Sequence, residues 1–288
     1  MDAHPIQWYP GHIAKAEKQL TKNLEKVDLV IEVRDARIPK ATSHPHLDKW
    51  IKGKKHLLVI NRVDMISSDS QALWNQWLQA QGKTPYWCNA KNGKGTNLIL
   101  KAAVQAGEAV NERRRSRGML NRPIRALALG FPNVGKSALI NRLVGKKVVD
   151  SARRAGVTRS LRWVRMGREL DLLDAPGVLP PRLDDQEAAL RLAICDDIGQ
   201  GAYDVEVVAV AFLQMAFNIS TKLNQLNHYE ILETRYGVSY QGKNQDPYEW
   251  ILAAANIHTS GDMNRMSQRV LDDFRKTYLG LMSIELPR

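Results

Sequence analysis

The sequence contains little cysteine and no long, uninterrupted run of apolar residues. Its two cysteines, Cys88 and Cys195, lie far apart and neither belongs to a CxxC pair, which excludes a disulfide framework and a cysteine-based zinc site. The longest apolar stretch, 205–217, contains Glu206 and Gln214 and falls short of the roughly 20 residues that span a bilayer. The N-terminal residues also lack the apolar core of a signal peptide. We therefore expect a soluble protein of a reducing, cytoplasmic compartment.

Acidic residues are outnumbered: 42 lysines and arginines against 30 aspartates and glutamates give a net charge of +12, which favours a polyanionic partner. The positive charge is concentrated in a lysine-rich helix (15–26), an arginine run (113–117, continuing to Arg122 and Arg125) and the segment 153–168. Each cluster alone is also typical of a solvated surface. Together they predict salt-sensitive contacts with nucleic-acid phosphates. Because no RNP-type aromatic motif or zinc knuckle is present, we expect recognition of shape and backbone.

Short apolar runs alternate with helical patterns in the first two thirds of the chain. This alternation is typical of a doubly wound α/β domain, in which parallel strands are buried on both faces. From about residue 185 helical periodicity dominates, and only 205–213 is ambiguous between strand and helix. We predict a first domain over 1–184 and a smaller, mostly α-helical domain over 185–288. The predicted strands are 29–33, 57–60, 85–88, 124–129 and 170–173, and the predicted helices of the first domain include 13–27, 69–81 and 96–112.

Residues 130–137, with the sequence GFPNVGKS, match the phosphate-binding pattern GxxxxGK(S/T) at every fixed position. An apolar strand precedes them and a helical pattern follows, as this loop requires, because its backbone amides face the phosphates from the start of a helix. The alternative, a simple glycine turn between strand and helix, is the less specific interpretation. Lys136 is expected to reach the β- and γ-phosphates and Ser137 to bind Mg²⁺. The predicted contacts of this loop are Asn133, Val134, Gly135, Lys136, Ser137 and Ala138.

Two further motifs indicate which base is bound. Residues 61–64 (NRVD) resemble the guanine-specificity motif NKxD, with Arg62 in place of lysine. The Asp64 carboxylate can accept hydrogen bonds from both the ring N–H and the amino group of guanine, a pair that adenine lacks. Arg62 can still lay its stem or guanidinium plane over the purine. Residues 89–91 (Asn89, Ala90, Lys91) resemble the SAK motif, in which the Ala90 amide would meet the guanine oxygen. Either motif alone is also compatible with ordinary turn chemistry after a strand.

Residues 174–177 (DAPG) match the switch motif DxxG at the end of a predicted strand. Asp174 is expected to hold Mg²⁺ through water, and the Gly177 amide to contact the γ-phosphate. Thr158, which lies between the phosphate loop and this motif, is the candidate for the second protein ligand of Mg²⁺.

The motifs occur in an unusual order. Ordinary GTPases place the phosphate loop first and the base-recognition motifs last, whereas here 61–64 and 89–91 precede 130–137 and 174–177. This order predicts a circularly permuted P-loop GTPase domain. The chain that leaves the DxxG motif then enters the helical domain directly, so we expect the γ-phosphate to influence that domain's orientation.

The permuted order, together with 8–16 (WYPGHIAKA) and 33–39 (VRDARIP), resembles the YlqF/RbgA family of ribosome biogenesis GTPases over most of the chain, more loosely at 273–280. The resemblance implies assembly of the large ribosomal subunit, GTP hydrolysis stimulated by that particle, and an rRNA-binding helical C-terminal domain. It also implies that Asn133 helps to hold a K⁺ ion beside the phosphates. We expect the protein to act as a monomer.

Val178 occupies the position at which Ras-like enzymes place a water-orienting glutamine, so unaided hydrolysis should be slow. The resemblance suggests that His12 supplies the catalytic group, because a neutral imidazole can orient or deprotonate water. Capping of the following helix or contact with rRNA phosphate is an equally open role for His12. Three alternative functions remain: a GTPase acting on another RNA or on a membrane, a GTP-binding protein with little hydrolysis, and an ATP-using P-loop protein.

Overall fold

The fold is seen in a computed structural model that describes residues 5–7, 20–149, 162–175, 177–180, 183–222, 228–239, 241–242 and 245–287. A six-stranded sheet runs through the first two thirds of the chain. Its strands are β1 (Leu29–Asp35), β2 (Lys55–Asn61), β3 (Pro85–Trp87), β4 (Ile124–Leu129), β5 (Arg162–Met166) and β6 (Leu170–Asp174).

The strands are arranged in the order β3-β2-β1-β4-β6-β5, and all neighbours are parallel except β5 and β6. Every residue of β1 is buried because the strand lies in the middle of the sheet and is covered on both faces. The five predicted strands are all present. β5 was not predicted, because it is an edge strand in which only Val164 is buried and no continuous apolar run results.

Helices cover both faces of the sheet and form most of the last hundred residues. The described helices are α1 (Leu47–Ile51), α2 (Ser68–Ala80), α3 (Thr96–Arg115), α4 (Lys136–Val144), α5 (Gln186–Ile194), α6 (Val205–Lys222), α7 (His228–Tyr236), α8 (Pro247–His258) and α9 (Met263–Arg275). The ambiguous run 205–213 is helical. Its periodicity is hidden because α6 packs against α5, α7, α8 and α9 and is therefore apolar on most sides. Of the predicted helix 13–27, residues 20–27 are described. Residues 20–24 are helical and 25–27 are not, so the helix ends three residues earlier than predicted.

The helical part of the chain packs closely on the sheet part. Buried residues of α5, α6 and α9 belong to the same apolar cluster as one face of the sheet. The chain after α9 returns to the loop that follows β1, where the backbone amides of Lys40 and Ala41 donate to the Glu285 carboxylate at 2.7 and 3.2 Å. Within the described ranges, no helix is both long and apolar enough to cross a membrane. The α/β fold with a helical C-terminal part is thus as predicted, while the boundary at 184/185 stays a prediction.

Candidate nucleotide-binding site

The predicted motifs meet at one edge of the sheet. Asn61 ends β2, residues 130–137 follow β4, and Asp174 ends β6, so all three lie at the carboxyl ends of parallel strands. From β1 the chain extends the sheet toward β3 in one direction, and β4 and β6 extend it in the other. The point between β1 and β4 is therefore a topological switch point, the position at which open α/β sheets bind their ligands.

The phosphate loop has the backbone that its sequence requires. Gly135 precedes α4 with a φ of 98°, and a Cβ there would lie 2.2 Å from Asn61 Nδ2, so only glycine fits. The buried Lys136 ammonium donates to the carbonyls of Gly130 and Phe131 at 3.1 and 2.7 Å. Burial lowers the pKa of Lys136 to about 8, although the charges of Asp174 and Asp197 oppose this. A bound phosphate would add a closer negative charge and favour the ammonium form.

Asn61 joins the base-recognition motifs to the phosphate loop. Its Nδ2 donates to the carbonyl of Val134 at 2.9 Å, and its Oδ1 accepts from the Ala90 amide at 3.0 Å. Arg142 of α4 completes the connection by donating to the carbonyls of Ala90 (3.2 Å) and Lys91. The structure thus brings 61–64, 89–91 and 130–137 together. The Ala90 amide, predicted to meet the guanine oxygen, is bonded here to Asn61.

Asp64 and Asn89 border this junction in different ways. Asp64 is exposed within the short 3₁₀ helix Val63–Met65. Its charge acts on Cys88: burial, and next the Asp64 carboxylate, raises the pKa of the Cys88 thiol to about 12. Asn89 Oδ1 accepts from the amides of Lys91 and Asn92 at 2.8 and 3.2 Å and so shapes the turn.

Arg62 is held by protein groups through its guanidinium. Nη1 donates to Asp35 Oδ2 at 2.7 Å and Nη2 to the carbonyl of Asn133 at 2.5 Å, while its backbone is left-handed with a φ of 65°. Asp35 is fully buried and is also paired with Arg37 at 2.7 Å. Burial opposes its ionisation, but Arg37 and Arg62 outweigh burial and lower the pKa of Asp35 to about 2. The apolar stem of Arg62 therefore remains as the part that can cover a purine.

Two predicted magnesium ligands are neighbours. Ser137 Oγ donates to Asp174 Oδ2 at 3.2 Å. Asp174 Oδ1 is buried without a hydrogen-bond partner among the described residues, and burial raises the pKa of this carboxyl, against the effects of Lys136 and Ser137. Mg²⁺ prefers oxygen ligands and is commonly held by one or two protein groups together with phosphates. A carboxylate oxygen without a partner beside a hydroxyl fits such an ion.

The DxxG segment touches the phosphate loop directly. A Cβ on Gly177 would lie 2.5 Å from Pro132 N and Cα, so any side chain would displace one of the two loops. The Val178 amide donates to the carbonyl of Gly130 at 3.1 Å, and its side chain is buried in an apolar cluster with Leu127. Val178 is thus a packing residue. The predicted residues His12 and Thr158 lie outside the described part of the chain.

A turn of the helical region also reaches the site, which the sequence did not predict. Asn133 Nδ2 donates to the carbonyl of Asp196 at 2.6 Å. The neighbouring Asp197 is fully buried, and Arg62 Nη1 lies 3.9 Å from its Oδ1. Burial, and next the charge of Asp35, raises the pKa of Asp197 to about 8. The sequence could have identified Asp35, because charged residues at the end of an apolar strand indicate a functional site. No comparable pattern surrounds Asp197.

Comparison with known proteins agrees with this geometry. A family profile described as "50S ribosome-binding GTPase" matches residues 125–234. The chain is 33% identical to ribosome biogenesis GTPase A of Bacillus licheniformis over 98% of both chains, and 35% identical to that of Bacillus cereus over 98% of this chain and 94% of the relative.

Among solved structures, a GDP-bound YlqF has a TM-score of 0.62 at 23% identity, covering 93% of this chain and 99% of the other. A GNP-bound YlqF from T. maritima has a TM-score of 0.59 at 23% identity, covering 95% and 99%. These two likenesses establish the fold, and the identity to the Bacillus proteins over almost their full length establishes the relationship. The chain belongs to the ribosome biogenesis GTPase A family.

Proposed function

We propose that this protein is a GTP-hydrolysing assembly factor for the large ribosomal subunit that binds rRNA in a nucleotide-dependent manner. One observation carries the GTPase part: Asn61 bonds both the phosphate loop and the Ala90 loop, so the base and phosphate motifs surround one ligand space. Membership of a family whose relatives are named ribosome biogenesis GTPase A supports the ribosomal part. The net charge of +12 supports RNA as the contact within that particle.

Each group then has a defined task toward GTP. Asp64 accepts hydrogen bonds from the guanine edge, and the stem of Arg62 covers the purine. The backbone amides of 133–138 face the phosphates. The Lys136 ammonium, now bonded to loop carbonyls, turns toward the β- and γ-phosphate oxygens. When bound, Mg²⁺ would neutralise charge that develops on those oxygens, and Ser137, Asp174 and Thr158 would hold it. A K⁺ ion beside Asn133 would add a second positive charge.

Hydrolysis needs a group that orients water, and Val178 cannot supply it because its side chain is buried among apolar residues. We propose that His12 supplies this group and that unaided turnover is slow. Contact with the ribosomal particle would then bring His12 to the γ-phosphate and raise the rate. We also propose that the protein acts in the cytoplasm as a monomer.

GTP turnover measured with and without purified large ribosomal subunits, in potassium and in sodium buffer, tests the proposal. We expect slow basal turnover and strong stimulation by the particle in potassium. His12→Ala should retain GTP binding and lose stimulation, and Lys136→Ala should lose GTP binding itself. If the wild type binds GTP but large subunits neither bind it nor accelerate turnover, the ribosomal function is wrong. If GTP binds and is never hydrolysed, the protein is a GTP-binding factor without turnover.

A further inference from the structure

We propose that a basic cleft on the edge of the sheet opposite the nucleotide site binds the RNA phosphate backbone, equally in the GDP and GTP states. The inference rests on the proposed function in taking RNA as the partner, and it adds a second site. The cleft has a volume of about 530 Å³. Its lining residues that matter here are Asp28, Lys54, Lys55, Arg113, Arg117 and Arg122.

The cleft is assembled from three distant parts of the chain. Lys54 and Lys55 lie at the start of β2, Arg113 and Arg117 lie at the end of α3 and just beyond it, and Arg122 precedes β4. These positions surround the amino ends of the parallel strands, whereas the nucleotide motifs lie at their carboxyl ends. The strand β1, with 7 residues, separates the two edges by about 20 Å.

Positive charge in the cleft is largely uncompensated. Arg114 also lines it, so the described lining residues include six cationic side chains and one carboxylate, that of Asp28. Arg122 pairs with that carboxylate through two hydrogen bonds of 2.8 and 2.9 Å. Within the ranges that the structure describes, Lys55, Arg113 and Arg117 form no ion pair. Cations gathered in a concave space favour an anionic ligand, the more so because the carboxylate among the described lining residues is already paired.

Several of the cleft's cations are held in place by the fold. Arg114 Nε donates to the carbonyl of Leu120 at 3.0 Å, and Lys54 Nζ lies 3.3 Å from the carbonyl of Val27. The same Asp28 carboxylate that orients Arg122 also accepts from the Arg125 amide at 3.0 Å. Part of the cost of ordering these long side chains is therefore met before a ligand arrives, which strengthens binding.

A nucleic-acid backbone suits this surface better than a membrane. A bilayer presents a flat array of headgroups, whereas the cations here surround a recess that a phosphodiester strand can enter.

The cleft is separate from the switches. The side chains of Lys54, Arg114 and Arg122 hydrogen-bond to Val27, Leu120, Asp28 and Pro123, and none of these four partners belongs to a nucleotide motif. A change at the γ-phosphate therefore leaves the cleft's shape unaltered. RNA bound there would keep the protein on its particle while the nucleotide site cycles.

The test compares the double variant Arg113→Gln/Arg117→Gln with the matched double variant Lys83→Gln/Lys101→Gln. Both remove two positive charges, but Lys83 and Lys101 do not line the cleft. Affinity for a short RNA duplex and for purified large subunits is measured against salt concentration, with GDP and with a GTP analogue. The arginine variant should bind about tenfold more weakly near 0.1 M salt, and its slope of log affinity against log salt should be shallower by about 1.5.

The loss should be the same factor with either nucleotide, and the lysine variant should match the wild type. Equal melting temperatures and GDP affinities confirm that both variants are folded, which is expected because Arg113 and Arg117 are exposed. An unchanged salt slope, or a loss seen only with the GTP analogue, overturns this inference and leaves the proposed function intact. A loss of binding to phosphatidylserine vesicles but not to RNA assigns the cleft to a membrane and overturns it too. Wild-type protein that binds no large subunits overturns both proposals.

Discussion

At the scale of single residues, the site depends on side chains that bridge loops. Asn61 satisfies a carbonyl of the phosphate loop and an amide of the Ala90 loop with one amide group. The Arg62 guanidinium likewise bridges two segments, because it donates to the Asp35 carboxylate and to the carbonyl of Asn133. Residues of the base-recognition motif thus order the loops around the ligand in addition to any contact with the base.

Replacing Asn61 by alanine should therefore weaken GDP and GTP binding alike. The change leaves the Val134 carbonyl and the Ala90 amide without their partner, and each such loss costs about 1–3 kcal/mol. We expect at least a tenfold lower affinity, or about 1.4 kcal/mol, in a titration with fluorescent nucleotides. Asn75→Ala, which removes a similar bond to Trp87 outside the site, is the control and should bind normally. Normal GDP affinity in Asn61→Ala would show that the bridge is dispensable.

Replacing Asp64 by asparagine tests base recognition separately. The amide offers one acceptor and one donor where guanine needs two acceptors, so GDP affinity should fall by about a hundredfold or more. Xanthine carries a carbonyl where guanine carries its amino group, so xanthosine diphosphate should bind the variant better than the wild type. Competition between the two nucleotides measures both effects. A variant that still prefers GDP would remove Asp64 from the base site.

At the scale of elements, the ends of the strands position the site, and short connecting segments pack against its loops. His44, between β1 and α1, is 5% exposed, and its ring centroid lies 4.3 Å from that of Trp50 and 5.9 Å from that of Phe131 in the phosphate loop. Burial, and next the charge of His46, lowers the pKa of His44 to about 4. The loop after β1 thus packs a neutral imidazole against the phosphate loop.

This burial makes stability depend on pH in a definite direction. The unfolded chain takes up a proton on His44 near pH 6.5, whereas the folded chain does so only near 4. Stability should therefore fall as the pH drops through this window, by up to about 3 kcal/mol. Urea unfolding from pH 7 to 4 should show a shallower loss in His44→Gln. His228 provides the comparison, because burial lowers its pKa to about 4 as well. His228→Gln should remove a second, independent part of the stability loss at low pH. An unchanged slope in both variants would contradict the prediction.

At the scale of the whole molecule, described residues of the helical region contact the phosphate loop and the loop that follows β1, in addition to the covalent link to the DxxG motif. The turn after α5 meets the phosphate loop through Asn133, and the chain after α9 packs on the loop that follows β1. Side-chain contacts thus join the nucleotide site to the helices in addition to the chain itself, so we expect nucleotide binding to influence the helices.

Removing the first contact should weaken the coupling. In the wild type, hydrogen exchange of the segment 195–204 should differ between GDP and a GTP analogue, since the phosphate loop bonds the Asp196 carbonyl. In Asn133→Ala this difference should shrink. Exchange in α2, which forms no hydrogen bond with this turn among the described residues, is the internal control. An identical difference in wild type and variant would mean that the signal travels only through the DxxG segment.

Removing the second contact should lower stability. In Glu285→Ala the backbone amides of Lys40 and Ala41 lose their acceptor, so the free energy of unfolding should fall by about 1–3 kcal/mol. Glu285→Gln keeps one acceptor oxygen, so its free energy of unfolding should lie between those of the wild type and Glu285→Ala. Denaturant unfolding measures the series. A wild-type value for Glu285→Ala would indicate that the C-terminal chain is held by its other contacts, such as the Trp74 indole bond to the Glu285 carbonyl.

The amino-acid sequence by itself determined five of the described strands, the phosphate loop, the two base motifs and their permuted order. Each depends on neighbouring residues: a buried strand needs a continuous apolar run, and the turn at Gly135 needs a residue without a side chain. Because such requirements involve residues close together in the chain, they can be recognised from the sequence.

The tertiary structure alone decided which distant groups meet. The pairing of Arg62 with Asp35, the burial of Asp197 and the joining of Lys55 with Arg113 all follow from the order of strands in the sheet. β5 and α6 were resolved only by their surroundings, one by its edge position and the other by burial on most sides. Charge pairs between residues far apart in the sequence leave no periodic pattern, so they can be recognised only in the tertiary structure.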